Sequence, residues 1–114
     1  SNRNEKEVEE MLAEADKYAT ADKEKRQNID LKNQAEALCF EAEKELGLFK
    51  DNISEDQQQN ITKIIEDIRQ EIENDDFEKL KSQVEDLKMA MKDMVATKAD
   101  DESNSDPMSN LNDL

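Results

Sequence analysis

The side chains of this sequence that could do chemistry are one cysteine, five methionines and 31 carboxylates. Histidine is absent, which removes the usual general base and the histidine-dependent nucleophiles. Cys39 lies among Glu36, Glu41 and Glu43, whose negative charges raise the pKa of a thiol. We therefore expect an inert, partly buried thiol rather than a redox switch. The sequence predicts no catalytic residue, and this chain is not expected to be an enzyme.

Two other groups of residues could bind a metal or a partner. Residues 51–56 contain acids like those of a calcium-binding loop, but Asp56 replaces the required glycine and the ligand spacing fails. We therefore expect no metal and no cofactor in this chain. Met89, Met91 and Met94 could form an adaptable binding face. Burial of Met91 and Met94 in a core, with Met89 exposed, explains them better.

The remaining candidate is a charged arm, residues 22–36. It could be a solvated helix face crossed by pairs of opposite charge four residues apart. Alternatively, its acids could dock one face of the arm on a separate domain. Spacing alone favours the solvated face, because surface charges are weak evidence for a contact.

The elements that position these residues are predicted to be helices. The chain has one glycine and one proline and is rich in Glu, Lys, Ala, Leu and Gln, which indicates an all-α fold. Apolar residues recur at helical spacing in four segments. The predicted helices span about 5–18, 21–49, 55–73 and 76–97. Short connections make the last three an antiparallel bundle, from which the polar half of the second helix extends as an arm.

Local signals mark the expected ends of these helices. Asn4 with Glu7 and Ser54 with Gln57 each form a predicted capping box. Gly47 is expected to end the long helix in a left-handed cap. A bend is expected near residues 19–22, where Thr20 or Asp22 could cap a new helix. No proline or glycine enforces it, so the sequence leaves open whether the first helix continues straight into the second.

The first helix has an apolar stripe with no obvious partner nearby in the sequence. Its members recur at helical spacing: Val8, Met11, Leu12 and Ala15. At the other end of the chain, residues 98–114 are acidic and show no period, so we expect a disordered tail.

The formal net charge of −15 excludes some classes of partner. Nucleic acids and anionic membranes are not expected, since both attract cations. No apolar run approaches the roughly 18 residues needed to cross a bilayer. The chain does not begin with methionine, which indicates a piece of a longer protein.

Several segments occur in a recognisable order and spacing. They are residues 4–11 (NEKEVEEM), 14–16 (EAD), 21–23 (ADK), 32–36 (KNQAE) and 43–46 (EKEL). Together they resemble the C-terminal helical lid of the DnaK-type, seventy-kilodalton heat-shock chaperones. The likeness continues through the helix after Ser54 to about Val95, and it is strongest to bacterial, cyanobacterial and plastid members.

The resemblance implies that residues 3–97 form a lid over a β-sandwich that grips unfolded peptide, slowing release of the peptide. It implies that Glu36 is a latch, pairing with a basic residue of the β-domain. Asp22 matches an acid that contacts the same domain near the bend, and Lys32 matches a basic position of the arm. Phe40 departs from the family, because some bacterial members have a histidine there, so a second polar latch is not expected.

The resemblance also implies a docking partner for the apolar stripe, namely the β-domain, which this chain lacks. ATP and Mg would bind elsewhere in the parent chaperone, which would carry the ATPase activity. The implied partners are unfolded client polypeptides, J-domain cochaperones and nucleotide-exchange cochaperones. The implied compartment is a bacterial cytoplasm or an organellar matrix or stroma.

A second interpretation from another class stays open at the level of sequence. The chain could be a standalone acidic helical bundle or a coiled-coil interaction module that pairs through its first helix. An isolated lid could also self-associate, since an unpartnered apolar stripe can bind a second copy.

Overall fold

The computed structural model describes the backbone of residues 2–104 and the side chains of residues 4–99. It contains three α-helices: α1 (Asn2–Phe49), α2 (Glu55–Glu73) and α3 (Phe77–Asn104). A short 3-10 helix, Lys50–Asn52, joins α1 to α2. None of residues 2–104 lies in a β-strand, so the all-α prediction is confirmed. The molecule measures 93 × 30 × 16 Å, because α1 extends well beyond the other helices.

The prediction of a bend near residues 19–22 is wrong. α1 runs without interruption through residues 19–22, and the Thr20 hydroxyl donates to the Asp16 carbonyl oxygen at 2.9 Å inside the helix. Asn4 also lies inside α1 and does not cap it. A continuous helix is favoured because a break would leave unpaired N–H and C=O groups at two new ends. No glycine or proline lies near the expected bend to offset that cost.

The prediction of a left-handed cap at Gly47 is also wrong. Gly47 lies within α1 and its φ is not positive. In the described backbone a left-handed residue occurs instead at Asp75, with φ 54°, in the turn between α2 and α3. Aspartate tolerates this conformation better than most residues, because its short polar side chain can bond locally.

The last helix is longer than expected. α3 continues to Asn104, so residues 98–104, which were expected to belong to the disordered tail, are helical. The rest of the expected tail, residues 105–114, lies outside the described residues.

The core lies where the second half of α1 packs against α2 and α3, and all three pairs of helices are in contact. All of its buried members are apolar: Ala35, Cys39, Ala42, Ile53, Ile61, Ile65, Ile68, Leu80, Val84, Leu87, Met91 and Met94. Met89 is exposed, which confirms the expected division of the three methionines. Val95, which follows Met94 on α3, is 46% exposed, so the core ends at Met94.

The predicted capping box of α2 is confirmed. The Gln57 backbone N–H donates to Ser54 Oγ at 3.1 Å, and the Ser54 N–H donates to Gln57 Oε1 at 3.3 Å. The preceding Ile53 is buried. α3 is capped in a similar way, since the Lys79 N–H donates to Asp76 Oδ1 at 3.4 Å. These caps fix the two turns that bring α2 and α3 against α1.

Candidate docking surface

One side of α1 carries large apolar side chains that nothing in the described structure covers. The exposed ones along α1 are Val8, Met11, Leu12, Tyr18, Ile29, Phe40 and Leu48. At about 100° per residue, all seven fall within a sector of about 120°. The buried Ala35 and Ala42 lie on the opposite side of the same helix. We call the exposed sector the outer face.

The apolar stripe predicted from the sequence forms the first part of the outer face. Val8 is 54% exposed, Met11 69% and Leu12 66%, and Ala15 is also exposed. None of these residues belongs to the bundle core or packs against it. A contiguous apolar surface of this kind is typical of a docking site.

The two acids expected to contact a separate domain lie along the same helix. Asp22 falls within the angular range of the outer face and Glu36 at its margin, and both side chains are exposed. Within the described side chains, neither belongs to any of the ion pairs found. Both carboxylates are therefore accessible to an external cation.

Lys32, the third expected contact residue, lies elsewhere. Its ammonium group pairs with the carboxylate of Asp75 and stands 5.5 Å from the centroid of the Phe77 ring. Both partners belong to the bundle, at the turn before α3 and at its first residue. The structure therefore does not bring Lys32 together with Glu36 and Asp22, and its contacts tie α1 to the bundle.

Comparison with known proteins identifies the family. The sequence model of the Hsp70 protein family matches residues 1–100. The chain belongs to the Hsp70 family. It is 64% identical, over 114 residues, to the "Chaperone protein dnaK" of Phaeodactylum tricornutum, covering 100% of this chain and 19% of the relative. The resemblance to DnaK-type chaperones is thus confirmed.

Two further relatives agree. The "Chaperone protein dnaK" of Trieres chinensis is 67% identical over 115 residues, with coverage of 100% of this chain and 19% of the relative. That of Gracilaria tenuistipitata is 44% identical over 85 residues, covering 75% of this chain and 14% of the relative. The chain therefore spans about a fifth of the length of the first two of these relatives. No solved structure matches it.

The cysteine of this Hsp70 chain is fully buried in the bundle. Cys39 is 0% exposed, and burial raises the pKa of its thiol. The positive charge of Arg69 lowers that pKa, while Glu43 and Glu36 raise it further. The thiol thus stays protonated and shielded from solution, which supports a structural role in this chain.

Sequence reasoning missed a cluster at the junction of α1 and α2. The Arg69 guanidinium pairs with the Glu43 carboxylate and lies 5.7 Å from the centroid of the Phe40 ring. Arg69 is 26 positions after Glu43, so no local pattern could show the contact.

The described part of this Hsp70 chain also restricts the kinds of site it can hold. No group of three or more Cys, Asp or Glu side chains within residues 4–99 is arranged to bind a metal ion. Over the same region, no helix has the length and apolarity needed to cross a bilayer. The outer face of α1 is the candidate functional surface because its large apolar side chains are exposed.

Proposed function

We propose that this chain is the helical lid of an Hsp70 chaperone, which closes over bound unfolded peptide and slows its release. The observation that supports this most directly is the division of α1. Its second half is packed in a bundle, whereas the outer face, with its stripe of Val8, Met11, Leu12 and Ala15, is left exposed. An arm of this design fits a helix that rests on a second domain.

In this proposal the lid acts on rates. The stripe docks on a β-domain that holds the peptide, and Glu36 pairs with a basic residue of that domain as a latch. Asp22 adds a second polar contact along the same side of the helix. Closing a lid over a groove slows ligand escape without requiring strong contacts to the ligand itself.

The remaining parts of the cycle lie outside this chain. The parent chaperone would bind ATP and Mg in another domain and hydrolyse the nucleotide there. Nucleotide binding would then open the lid by favouring a different docked state. Clients would be unfolded polypeptides, with J-domain and nucleotide-exchange proteins as cochaperones. A bacterial cytoplasm or an organellar matrix or stroma would be the compartment.

The latch can be tested by removing its charge. In the full-length chaperone carrying this chain, Glu36→Gln is expected to speed dissociation of a fluorescent unfolded peptide about two- to fivefold. That range corresponds to an exposed ion pair worth up to about 1 kcal/mol. Leu12→Ser should also speed dissociation, because it weakens docking of the stripe.

Glu66→Gln is the matched control, since Glu66 is an exposed glutamate on α2 and not a member of the outer face. Its peptide dissociation rate should equal that of the unmodified protein. Unchanged rates in both Glu36→Gln and Leu12→Ser would contradict the lid assignment.

A further inference from the structure

A groove of about 400 Å³ lies between α2 and α3 and is lined by side chains of these two helices alone. Its base is apolar, since Ile64 and Ala90 are partly buried and pack against the core. Met89 also lines it and is 70% exposed, more than any other large apolar side chain of the described residues. We call this surface the α2–α3 groove. It combines an apolar base with an accessible methionine.

Acids border the α2–α3 groove. Asp67 of α2 and Asp86 and Asp93 of α3 line it, and Lys63 is the one cation of the lining. Within the described side chains, none of the three carboxylates belongs to any of the ion pairs found. Three negative charges against one positive charge leave the lining with a net charge of −2. Such a surface favours a cationic partner.

The same side of the bundle continues towards the turn between α2 and α3. A second hollow there shares Asp67 and Gln83 with the α2–α3 groove and extends to Asn74. On α2 the two hollows together run from Asn60 to Asn74, which corresponds to about 21 Å along the helix axis. That length accommodates about four turns of a partner helix.

Charge and shape decide between the possible occupants. Residues 105–114 of this chain carry acids but no Lys or Arg, and a second copy would bring another net charge of −15. Neither complements an acidic groove. Within residues 2–104 no strand offers an edge to an extended peptide, whereas a groove between two helices accepts the apolar side of a third helix. Methionine suits such a contact because its flexible side chain adapts to the partner.

We infer that the α2–α3 groove binds a basic amphipathic helix of a partner protein. Apolar side chains of that helix pack on Ile64, Met89 and Ala90, and Lys or Arg residues beside them pair with Asp86 and Asp93. No member of the outer face lines this groove, so the site is separate from the proposed docking surface. The inference does not depend on the lid assignment.

The test measures binding of a fluorescein-labelled helical peptide to the 114-residue chain by fluorescence anisotropy. The peptide contains about 16 residues of Leu, Ala and Lys, with leucines spaced as i, i+3, i+4 and i+7. We expect saturable binding at micromolar concentrations. A peptide with Glu in place of every Lys, and one of unchanged composition with scrambled leucines, should each bind at least about tenfold more weakly. Equal binding of the scrambled peptide would overturn the inference, because charge alone would then suffice.

Substitutions in the α2–α3 groove locate the peptide. Met89→Ser is expected to weaken binding about five- to twentyfold, because it removes apolar contact area. The double variant Asp86→Asn, Asp93→Asn should weaken binding about three- to tenfold, because two exposed ion pairs are lost. All three side chains are exposed, so the unfolding midpoints of these variants should match that of the unmodified chain.

Matched controls remove similar groups from α1. Leu12→Ser takes away exposed apolar surface, and the double variant Glu10→Gln, Glu14→Gln takes away two exposed charges. Both should leave the affinity unchanged. If Leu12→Ser weakens binding and Met89→Ser does not, the peptide lies on the outer face and the inference fails. It also fails if the α1 charge variant weakens binding as much as the groove charge variant, since attraction to the overall net charge would then explain the binding.

Absence of peptide binding to the unmodified chain would likewise overturn the inference. The lid assignment would be unaffected by that result, because it is tested separately, by peptide release from the full-length chaperone.

Discussion

The two halves of α1 belong to one helix but differ in what they contact. Residues 31–49 pack against α2 and α3 and bury Ala35, Cys39 and Ala42. Among the described side chains before Leu31, no apolar residue belongs to the core or packs against it. Local helix propensity therefore sets the length of α1, whereas tertiary packing stabilises only its second half. An isolated helix is marginally stable in water, so in the proposed lid the first half would be stabilised by docking on its partner domain.

The sizes of the side chains sharpen this comparison. Where α1 meets the bundle, its fully buried residues are small, so that the large side chains of α2 and α3 can approach its backbone. On the outer face, by contrast, the side chains are large, as Met11, Leu12 and Phe40 show. α1 thus exposes seven large apolar side chains on its outer face, whereas its fully buried residues are small. This distribution is the physical basis for assigning a docking role to the outer face.

The largest predicted effect compares the stability contributed by the bundle with that contributed by the first half of α1. Ile68→Ala, at a fully buried position of α2, is expected to lower the free energy of unfolding of the 114-residue chain by about 2–5 kcal/mol. Leu12→Ala in the first half of α1 should change it by less than about 0.5 kcal/mol, since Leu12 is exposed. Urea denaturation followed by circular dichroism measures both. A comparable loss in Leu12→Ala would mean that the first half of α1 packs within the chain after all.

The bundle could be predicted from sequence because its signals are local. The isoleucines of α2 repeat at helical spacing, and Ser54 is three residues from Gln57. The continuity of α1 could not be predicted in the same way. Thr20 is a good capping residue in isolation, but its hydroxyl bonds to the Asp16 carbonyl oxygen inside a helix that has no reason to stop. The sequence also could not predict that the left-handed residue is Asp75 rather than Gly47, because this conformation depends on how tightly the turn between α2 and α3 closes.

The residues of the candidate site also divide into those that a local sequence pattern predicts and those that only tertiary packing brings together. The apolar stripe follows from helical periodicity, so the sequence was sufficient to predict it, whereas Glu36 was identified only by the resemblance to the family. The contacts of Lys32 with Asp75 and Phe77 join residues more than 40 positions apart, and no local pattern contains them. The same holds for Arg69 and Phe40, since only packing of α2 against α1 brings them together.

A smaller effect is expected at the cap of α2, which positions the bundle and leaves the arm untouched. Ser54→Ala removes the acceptor of the Gln57 N–H and should cost about 1 kcal/mol of unfolding free energy. Ser82→Ala is the control, because Ser82 is an exposed residue inside α3 and alanine favours the helix. A shift in the urea midpoint with Ser54→Ala but not with Ser82→Ala is the expected result. Equal midpoints in both variants would show that the cap does not limit stability.

The smallest effect concerns Glu71, a half-buried glutamate of α2 whose Oε2 atom has no hydrogen-bond partner. Burial raises the pKa of this carboxyl group, Asp67 and Asp76 raise it further, and Lys79 partly opposes them. A raised pKa means that the folded state binds the proton more tightly than the unfolded state does. Stability contributed by this group therefore falls as pH rises from the ordinary carboxyl pKa through the raised value.

Glu71→Gln should accordingly stabilise the chain at neutral pH, because a neutral amide costs less to bury than a carboxylate. The gain should shrink as pH falls through the raised pKa and vanish near the ordinary one, where the carboxyl is protonated in both states. Glu14→Gln, in the exposed first half of α1, is the control. It removes the same charge from a chain of net charge −15, without relieving any burial. If both variants gained equal stability, the cause would be general repulsion between acids. Charged residues of the bundle and of the first half of α1 would then affect stability in the same way.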